Sequence, residues 1–177
     1  MSSNFSISVI VPFYNSNNHI KNCLDAVKKQ DFDKNFEIIL IDDGSTDNSR
    51  DLVKNYKNLN IKLYSLKKNS GPASARNLGI SKAKGEYLFL LDVDDTIAKN
   101  SLKLLYNEAK KNKSDLIFSD FSRIEAGKNL RQNFFNYNSN KIFTNKDLKK
   151  GMLSQIHFNN FGHQGLFGIN GRLIKRK

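Results

Sequence analysis

The stretch Gly85 to Ile97, GEYLFLLDVDDTI, limits what this chain can fold into more than any other. An apolar run from Tyr87 to Leu91 ends abruptly in three carboxylates, Asp92, Asp94 and Asp95. A short run of aromatic and leucine residues bounded by Gly and Asp predicts a buried strand of a parallel sheet, with the acids at its carboxyl end. Open α/β sheets bind their ligands at that end. Three carboxylates within four residues repel one another unless a cation or a ligand's donors offset the charge, which points to a hard-metal site for a phosphate-bearing ligand. The alternative is a solvated Asp-rich strand end.

The same pattern recurs upstream. Ser6 to Val11 predicts a strand stopped by Pro12, which cannot donate to a ladder. Phe13, Tyr14 and Asn15 form a loop, and His19 to Gln30 carries Ile20, Cys23, Leu24 and Val27 at the spacing of one helical face. Phe36 to Ile41 is a second buried strand, ending in Asp42, Asp43 and Gly44. Ser45 to Lys57 then predicts a helix capped by Ser45 or Thr46. Ile61 to Leu66 is a third strand, Asn69 to Pro72 a turn, and Ala73 to Ala83 a helix with small residues on one side. Such alternation predicts a Rossmann-like parallel sheet with right-handed crossovers and helices on both faces. Both acidic clusters then emerge on one sheet edge.

Beyond Asp95, Ser101 to Lys111 predicts a helix with Leu102, Leu105 and Tyr106 inward, and Asp115 to Ile124 a strand. Glu125 to Asn140 has no clear period and suggests a hairpin or loop; Lys146 to Leu153 suggests a short helix, and His157 to Lys177 has no assignable period.

Composition narrows the function. The 177 residues, 38% hydrophobic, suffice for one core. The formal charge of +12 invites a nucleic-acid or membrane-surface reading. The lysines are scattered among 24 asparagines, however, and the one dense basic cluster, Arg172 with Lys175, Arg176 and Lys177, has no interleaved aromatics. No nucleic-acid partner is expected. Cys23 stands alone, so disulfide frameworks and CxxC metal sites are excluded; a reducing cytosol and a buried, inert thiol fit it best. The N-terminus lacks a secretory leader pattern and no stretch approaches a membrane span, which predicts a cytoplasmic protein, at most peripheral at the inner face of a membrane.

Four segments, SVIVPFYN at Ser8 to Asn15, ILIDDGSTDNS at Ile39 to Ser49, GPASARNLGI at Gly71 to Ile80 and GEYLFLLDVDD at Gly85 to Asp95, resemble in order and spacing the signatures of family 2 glycosyltransferases with the GT-A fold. The resemblance implies a mostly parallel GT-A sheet, with residues 1–124 as a nucleotide-sugar-binding core and 125–177 as part of an acceptor side. It implies transfer, with inversion, of a sugar from a nucleotide diphosphate sugar, usually uridine-linked, to a hydroxyl of a glycan or lipid-linked acceptor in bacterial-type surface glycan or polysaccharide synthesis. By the same resemblance Pro12, Phe13, Tyr14 and Asn15 belong to the base pocket, with Tyr14 against the uracil. Asp43, or else Asp42, accepts from the base N3–H and holds the ribose beside Ser45. Gly71, Pro72 and Arg76 approach the nucleotide, Asp92, Val93 and Asp94 the ribose or sugar, and Asp94 and Asp95 hold Mn²⁺ or Mg²⁺ between the phosphates.

An inverting transfer also requires a carboxylate base for the acceptor hydroxyl. In the family it stands well downstream of the DxD element. Asp120 and Glu125 do not match its motif, and His157 and His163 suit structure or the acceptor side better than metal. The base is therefore expected beyond Lys177, with this chain a piece of a longer enzyme that binds donor and metal but transfers poorly. Two other readings stand beside this one: a non-catalytic nucleotide-sugar-binding domain, and a DxDxT phosphotransferase of haloacid dehalogenase type in which Asp92 is nucleophile and Asp94 acid/base. A nucleotidyltransferase would carry a glycine-rich basic loop where this chain has PFYNSNNH.

Overall fold

In the computed structural model, residues 5–56, 60–119 and 172–176 are described in full, and 121–125 and 128–132 by their backbone. A six-stranded sheet is built around β1 (Phe5–Phe13). On one side lie β2 (Phe36–Asp42) and then β3 (Ile61–Ser65); on the other lie β4 (Gly85–Leu90), β8 (Arg172–Lys175) and β5 (Leu116–Phe118). The first four strands run parallel, and β8 is antiparallel to both its neighbours. The mostly parallel α/β sheet expected from the alternating pattern is therefore present.

Helices cover both faces for reasons visible in the side chains. α1 (Ile20–Lys28) buries Ile20, Cys23, Leu24 and Val27, and α4 (Ser101–Asn112) buries Leu102, Leu105 and Ala109. These meet Ile7, Val9, Val11, Ile38, Leu40, Tyr87 and Phe89, the alternate residues on one face of the sheet, with Val53 of α2 (Ser49–Asn55) at the margin. α3 (Pro72–Lys82) packs on the opposite face with its small residues inward: a Cβ added at Gly79 would overlap the Cγ2 methyl of Ile10 and touch Ile41. The small-residue stripe is thus the means by which the helix approaches the sheet.

Three local expectations give way to tertiary context. Pro12 does not end β1, which continues to Phe13 with Pro12 paired in register to Ile41. The Leu91 amide donates to the Ile10 carbonyl and the Asp43 amide to the Phe13 carbonyl, so Pro12 faces the β4 side, beyond the end of β4, where no ladder bond is required of it. α2 begins at Ser49, not near Ser45, because Ser45, Thr46 and Asp47 are spent in loop contacts; Asp47 Oδ1 accepts the Ser49 amide at 3.0 Å. The strand expected over Asp115 to Ile124 is two strands, β5 and β6 (Phe121–Glu125), and β6 forms a separate antiparallel hairpin with β7 (Lys128–Gln132).

The terminal basic cluster is structural in part. Arg172 and Lys175 lie in β8, Arg176 Nε donates to the Gly85 carbonyl at 2.7 Å, and Lys175 pairs with Asp115. The chain divides into two compact units, Met1–Phe118 with Asn170–Lys177, and Ser119–Ile169, so the boundary falls at Phe118 and the last residues return to the first unit. The helix expected over Lys146 to Leu153 lies outside the described residues.

Candidate functional site

Because β1 to β4 are parallel, the loops that follow them leave the sheet on one edge. The strand order β3-β2-β1-β4 means that the chain winds one way from β1 through β3 and then crosses to the other side for β4. The crevice between the ends of β1 and β4 is therefore a topological switch point, the position at which such sheets take ligands. Phe13 is in register with Asp42, and Ile10 with Leu90, so Tyr14, Asp43 and Asp92 each stand a residue or two beyond a strand end.

Three sets of polar contacts fasten the loops into one wall. Asn15 joins the first to the second: its Oδ1 accepts the Thr46 amide at 2.8 Å and the Asp47 amide at 3.3 Å, and its own amide donates to Ser45 Oγ at 3.0 Å. Asp43 joins the second to the start of α3: its two oxygens accept the amides of Ser70 and Gly71, each at 2.8 Å. Arg76 joins α3 to the loop after β4, donating from Nη2 to Asp92 Oδ1 at 2.6 Å. Gly44, at φ +75°, permits the close approach of the second and third loops, since a Cβ there would lie 2.7 Å from the Lys68 carbonyl carbon. From below, Gln30 accepts the Leu102 amide and donates to the Ala98 carbonyl, fixing the start of α4 against the end of α1.

The expected site residues thus divide by what their side chains already do. Asp42 and Asp43 are 2% and 3% exposed, and Asp42 accepts the Ser45 amide. Each Asp43 oxygen holds one amide and keeps a further lone pair for a ligand donor. Phe13 is buried in the core, and Val93 packs against it while only partly buried. Tyr14 is 42% exposed and Pro72 is exposed at the first turn of α3. Arg76 Nε is buried with no hydrogen-bond partner among the described residues. Asp94 and Asp95 are exposed in a turn closed by the Asp95 amide on the Asp92 carbonyl. Asp120, His157 and His163 lie outside the described residues, and of Glu125 only the backbone is described.

The acidic turn marks the local electrostatics. Burial first, and then Asp95, Asp94 and Asp92, push the Cys23 thiol up to about 12, so it is a neutral packing group and no nucleophile. Burial would raise the Asp47 carboxyl, but the hydrogen bonds from Ser49 and the Asn17 amide outweigh it and hold the group below the usual carboxylate range. Among the described residues no three His, Cys, Asp or Glu are grouped so as to hold a metal alone. The exposed oxygens of Asp94 and Asp95 fit a Mg²⁺- or Mn²⁺-type ion completed by ligand phosphates, which needs only one or two carboxylates.

Gln30 and the Ser70 amide are contributors that residue-type reasoning passes over, as are the loop-joining bonds made by Asn15 and Gly71. Only the clustering of Asn, Ser and Asp in the loops hints at them.

A family model described as glycosyl transferase family 2 matches residues 8–168. The chain is 38% identical over 133 residues to the poly(ribitol-phosphate) β-N-acetylglucosaminyltransferase TarP of Staphylococcus aureus, covering 73% of this chain and 40% of TarP. The structure of S. aureus TarS 1-349 in complex with UDP-GlcNAc superposes with a TM-score of 0.68 at 37% identity, covering 75% of this chain and 38% of that one. The mannosyltransferase PcManGT of Pyrobaculum calidifontis, in complex with GDP-Man and Mn²⁺, superposes with a TM-score of 0.59 at 25% identity, over 64% and 35% of the two chains. The chain spans at most 60% of the length of the first curated relatives it matches. Among the described residues no helix is long and apolar enough to cross a membrane.

Proposed function

The chain belongs to glycosyl transferase family 2, and from that premise we propose that it carries the donor site of an enzyme that moves a sugar from a uridine diphosphate sugar to an acceptor hydroxyl, with inversion. One observation carries the proposal: Asp43 and the Asp92–Asp95 turn are brought to one sheet edge, at the β1–β4 switch point, and joined through Gly71 and Arg76. The likeness to TarS with bound UDP-GlcNAc supports the choice of nucleotide, and the names of the curated relatives, poly(ribitol-phosphate) glycosyltransferases, support a hydroxyl-bearing polymer as acceptor class. The same family assignment displaces the DxDxT phosphotransferase reading of Asp92, whose carboxylate is engaged by Arg76.

In this reading Tyr14, on the exposed lip of β1, packs against the base, and the remaining lone pairs of Asp43 accept from the base or ribose. Arg76, held by Asp92, adds positive charge beside the nucleotide phosphates. Asp94 and Asp95 hold a divalent cation, Mn²⁺ or Mg²⁺. Such an ion, when bound, stabilises the charge that develops on the departing diphosphate. Asp92 keeps the guanidinium in place, and the buried Asp42 keeps the Ser45 loop closed. The acceptor's base is assigned to no residue described, and this chain is proposed to bind donor and to hydrolyse or transfer it slowly.

UDP release from UDP-GlcNAc and UDP-glucose, followed with and without Mn²⁺, tests the proposal. Metal-dependent release that is lost in Asp94→Ala and Asp95→Ala supports an impaired transferase; donor binding without release supports a pure binding domain. Phosphatase activity abolished by Asp92→Asn would revive the phosphotransferase.

A further inference from the structure

We propose that Asn15 is a positioning residue of the nucleotide site, acting through its side-chain oxygen on the loop after β2 and touching no ligand itself. This rests on the donor-site reading above, but its evidence is separate. Asn15 sits at φ +46°, in the left-handed region that side-chain-bearing residues seldom enter and that Asn and Asp enter most readily. Its Oδ1 accepts from the Thr46 amide, the Thr46 hydroxyl and the Asp47 amide, at 2.8, 3.3 and 3.3 Å. Its amide donates to Ser45 Oγ, whereas its Nδ2 donates to none of the described residues. Every bond it makes with the described residues therefore runs to residues 45–47. Its neighbours complete the fastening: the Ser16 amide donates to Ser49 Oγ at 2.7 Å, and the Ser16 hydroxyl to the Tyr14 carbonyl at 2.9 Å.

The consequence for binding follows from where Tyr14 lies. It is the residue between the end of β1 and this clamp, its carbonyl held by the Ser16 hydroxyl, and its side chain is exposed and makes no hydrogen bond among the described residues. A strained φ persists only while surrounding bonds hold it. Without the Oδ1 bonds the first and second loops keep only the Asn15, Ser16 and Asn17 amide bonds to Ser45, Ser49 and Asp47, and nucleotide must order the loosened pair on binding, which lowers affinity. The side-chain bonds are all acceptances, so the roles of Oδ1 and Nδ2 can be separated chemically. Asp supplies the acceptor, tolerates the same backbone and lacks the Nδ2 donor; Gly tolerates the backbone and supplies neither.

The test is calorimetric titration of the 177-residue chain and its Asn15→Gly and Asn15→Asp variants with UDP and with uridine, alongside amide hydrogen exchange at Thr46 and Asp47. Uridine carries no phosphate for the new carboxylate to repel. Asn15→Gly is expected to weaken both ligands by about tenfold and to speed exchange of both amides, on the scale of losing two or three ordered hydrogen bonds. Asn15→Asp is expected to recover most of the uridine affinity and the protection. Asn15→Asp as weak as Asn15→Gly toward uridine, with both amides still protected, would assign the role to Nδ2 and overturn the proposal, as would Asn15→Gly binding like the parent. A parent chain that binds neither ligand overturns the donor-site reading itself, a result legible without either variant.

Discussion

Arg76 Nη2 lies 2.6 Å from Asp92 Oδ1, and this contact joins the helix on one face of the sheet to the acidic turn at the end of β4. Both side chains are mostly withdrawn from solvent, at 17% and 30% exposure. The pair is partly screened, so its coupling is modest: a double-mutant cycle with Arg76→Ala and Asp92→Ala, read by urea unfolding, is expected to give about 1 kcal/mol. The larger effect is expected on ligand. Arg76→Lys keeps the charge but loses the fork that holds Asp92 and, in the proposed site, faces the nucleotide, and should weaken UDP binding by about tenfold in calorimetry.

Asp43→Asn places an amide donor against one of two backbone donors, Ser70 N–H or Gly71 N–H. Unfolding experiments should show a loss of about 1–3 kcal/mol, the range for leaving a buried donor unsatisfied. UDP affinity should fall in the same variant while its enhancement by Mn²⁺ persists, because the acids proposed to hold the metal stand on a different loop.

Gly79→Ala sets two effects against each other. Alanine gains about 0.8–1.0 kcal/mol of helix propensity over glycine. The added Cβ overlaps the Ile10 methyl, and overpacking costs about 1–3 kcal/mol, so thermal unfolding should show net destabilisation. Combining it with Ile10→Ala should prove less damaging than the sum of the two.

Glu37 is fully buried on the α3 face of β2, receiving Lys62 Nζ at 2.8 Å and the Ser8 hydroxyl and Lys84 amide at 2.7 Å each. Burial by itself raises its carboxyl, but the bonds from Lys62, Ser8 and Lys84 outweigh it and hold the group below its ordinary 4.5. The unfolded chain then binds the proton more readily than the folded one. The stabilisation is present above about pH 4.5 and is lost as pH falls through the lower folded value. Urea midpoints measured from pH 6 down to pH 3 should fall, and Glu37→Gln should start lower and flatten that dependence.

How much of this was legible in the sequence depended on whether local chemistry was decisive. The acids at Asp42–Asp43 and Asp92–Asp95 sit at strand ends because buried strands must stop where carboxylates begin, and that is visible in one dimension. The small-residue helix was visible too, though its reason, contact with Ile10, was not. Pro12 misled because its effect depends on which neighbour its missing amide faces. Arg172–Lys175 was missed because a four-residue strand placed between β4 and β5 gets its identity from partners more than 50 residues away in sequence. Asn15, Asp43 and Gln30 each bond across loops, and such bonds leave no periodic trace.

The central claim is that this sheet edge is a nucleotide-sugar site completed by a divalent ion, and thermal unfolding of the chain with UDP, GDP and UDP-GlcNAc, each with and without Mn²⁺, tests it most directly. The predicted result is stabilisation by UDP that rises with concentration as mass action requires, by about 2.7 kcal/mol at one hundred times Kd, and that is greater with Mn²⁺ unless Asp95 is replaced by Ala. A folded chain whose unfolding temperature is unmoved by every one of these nucleotides, with or without the ion, would contradict it.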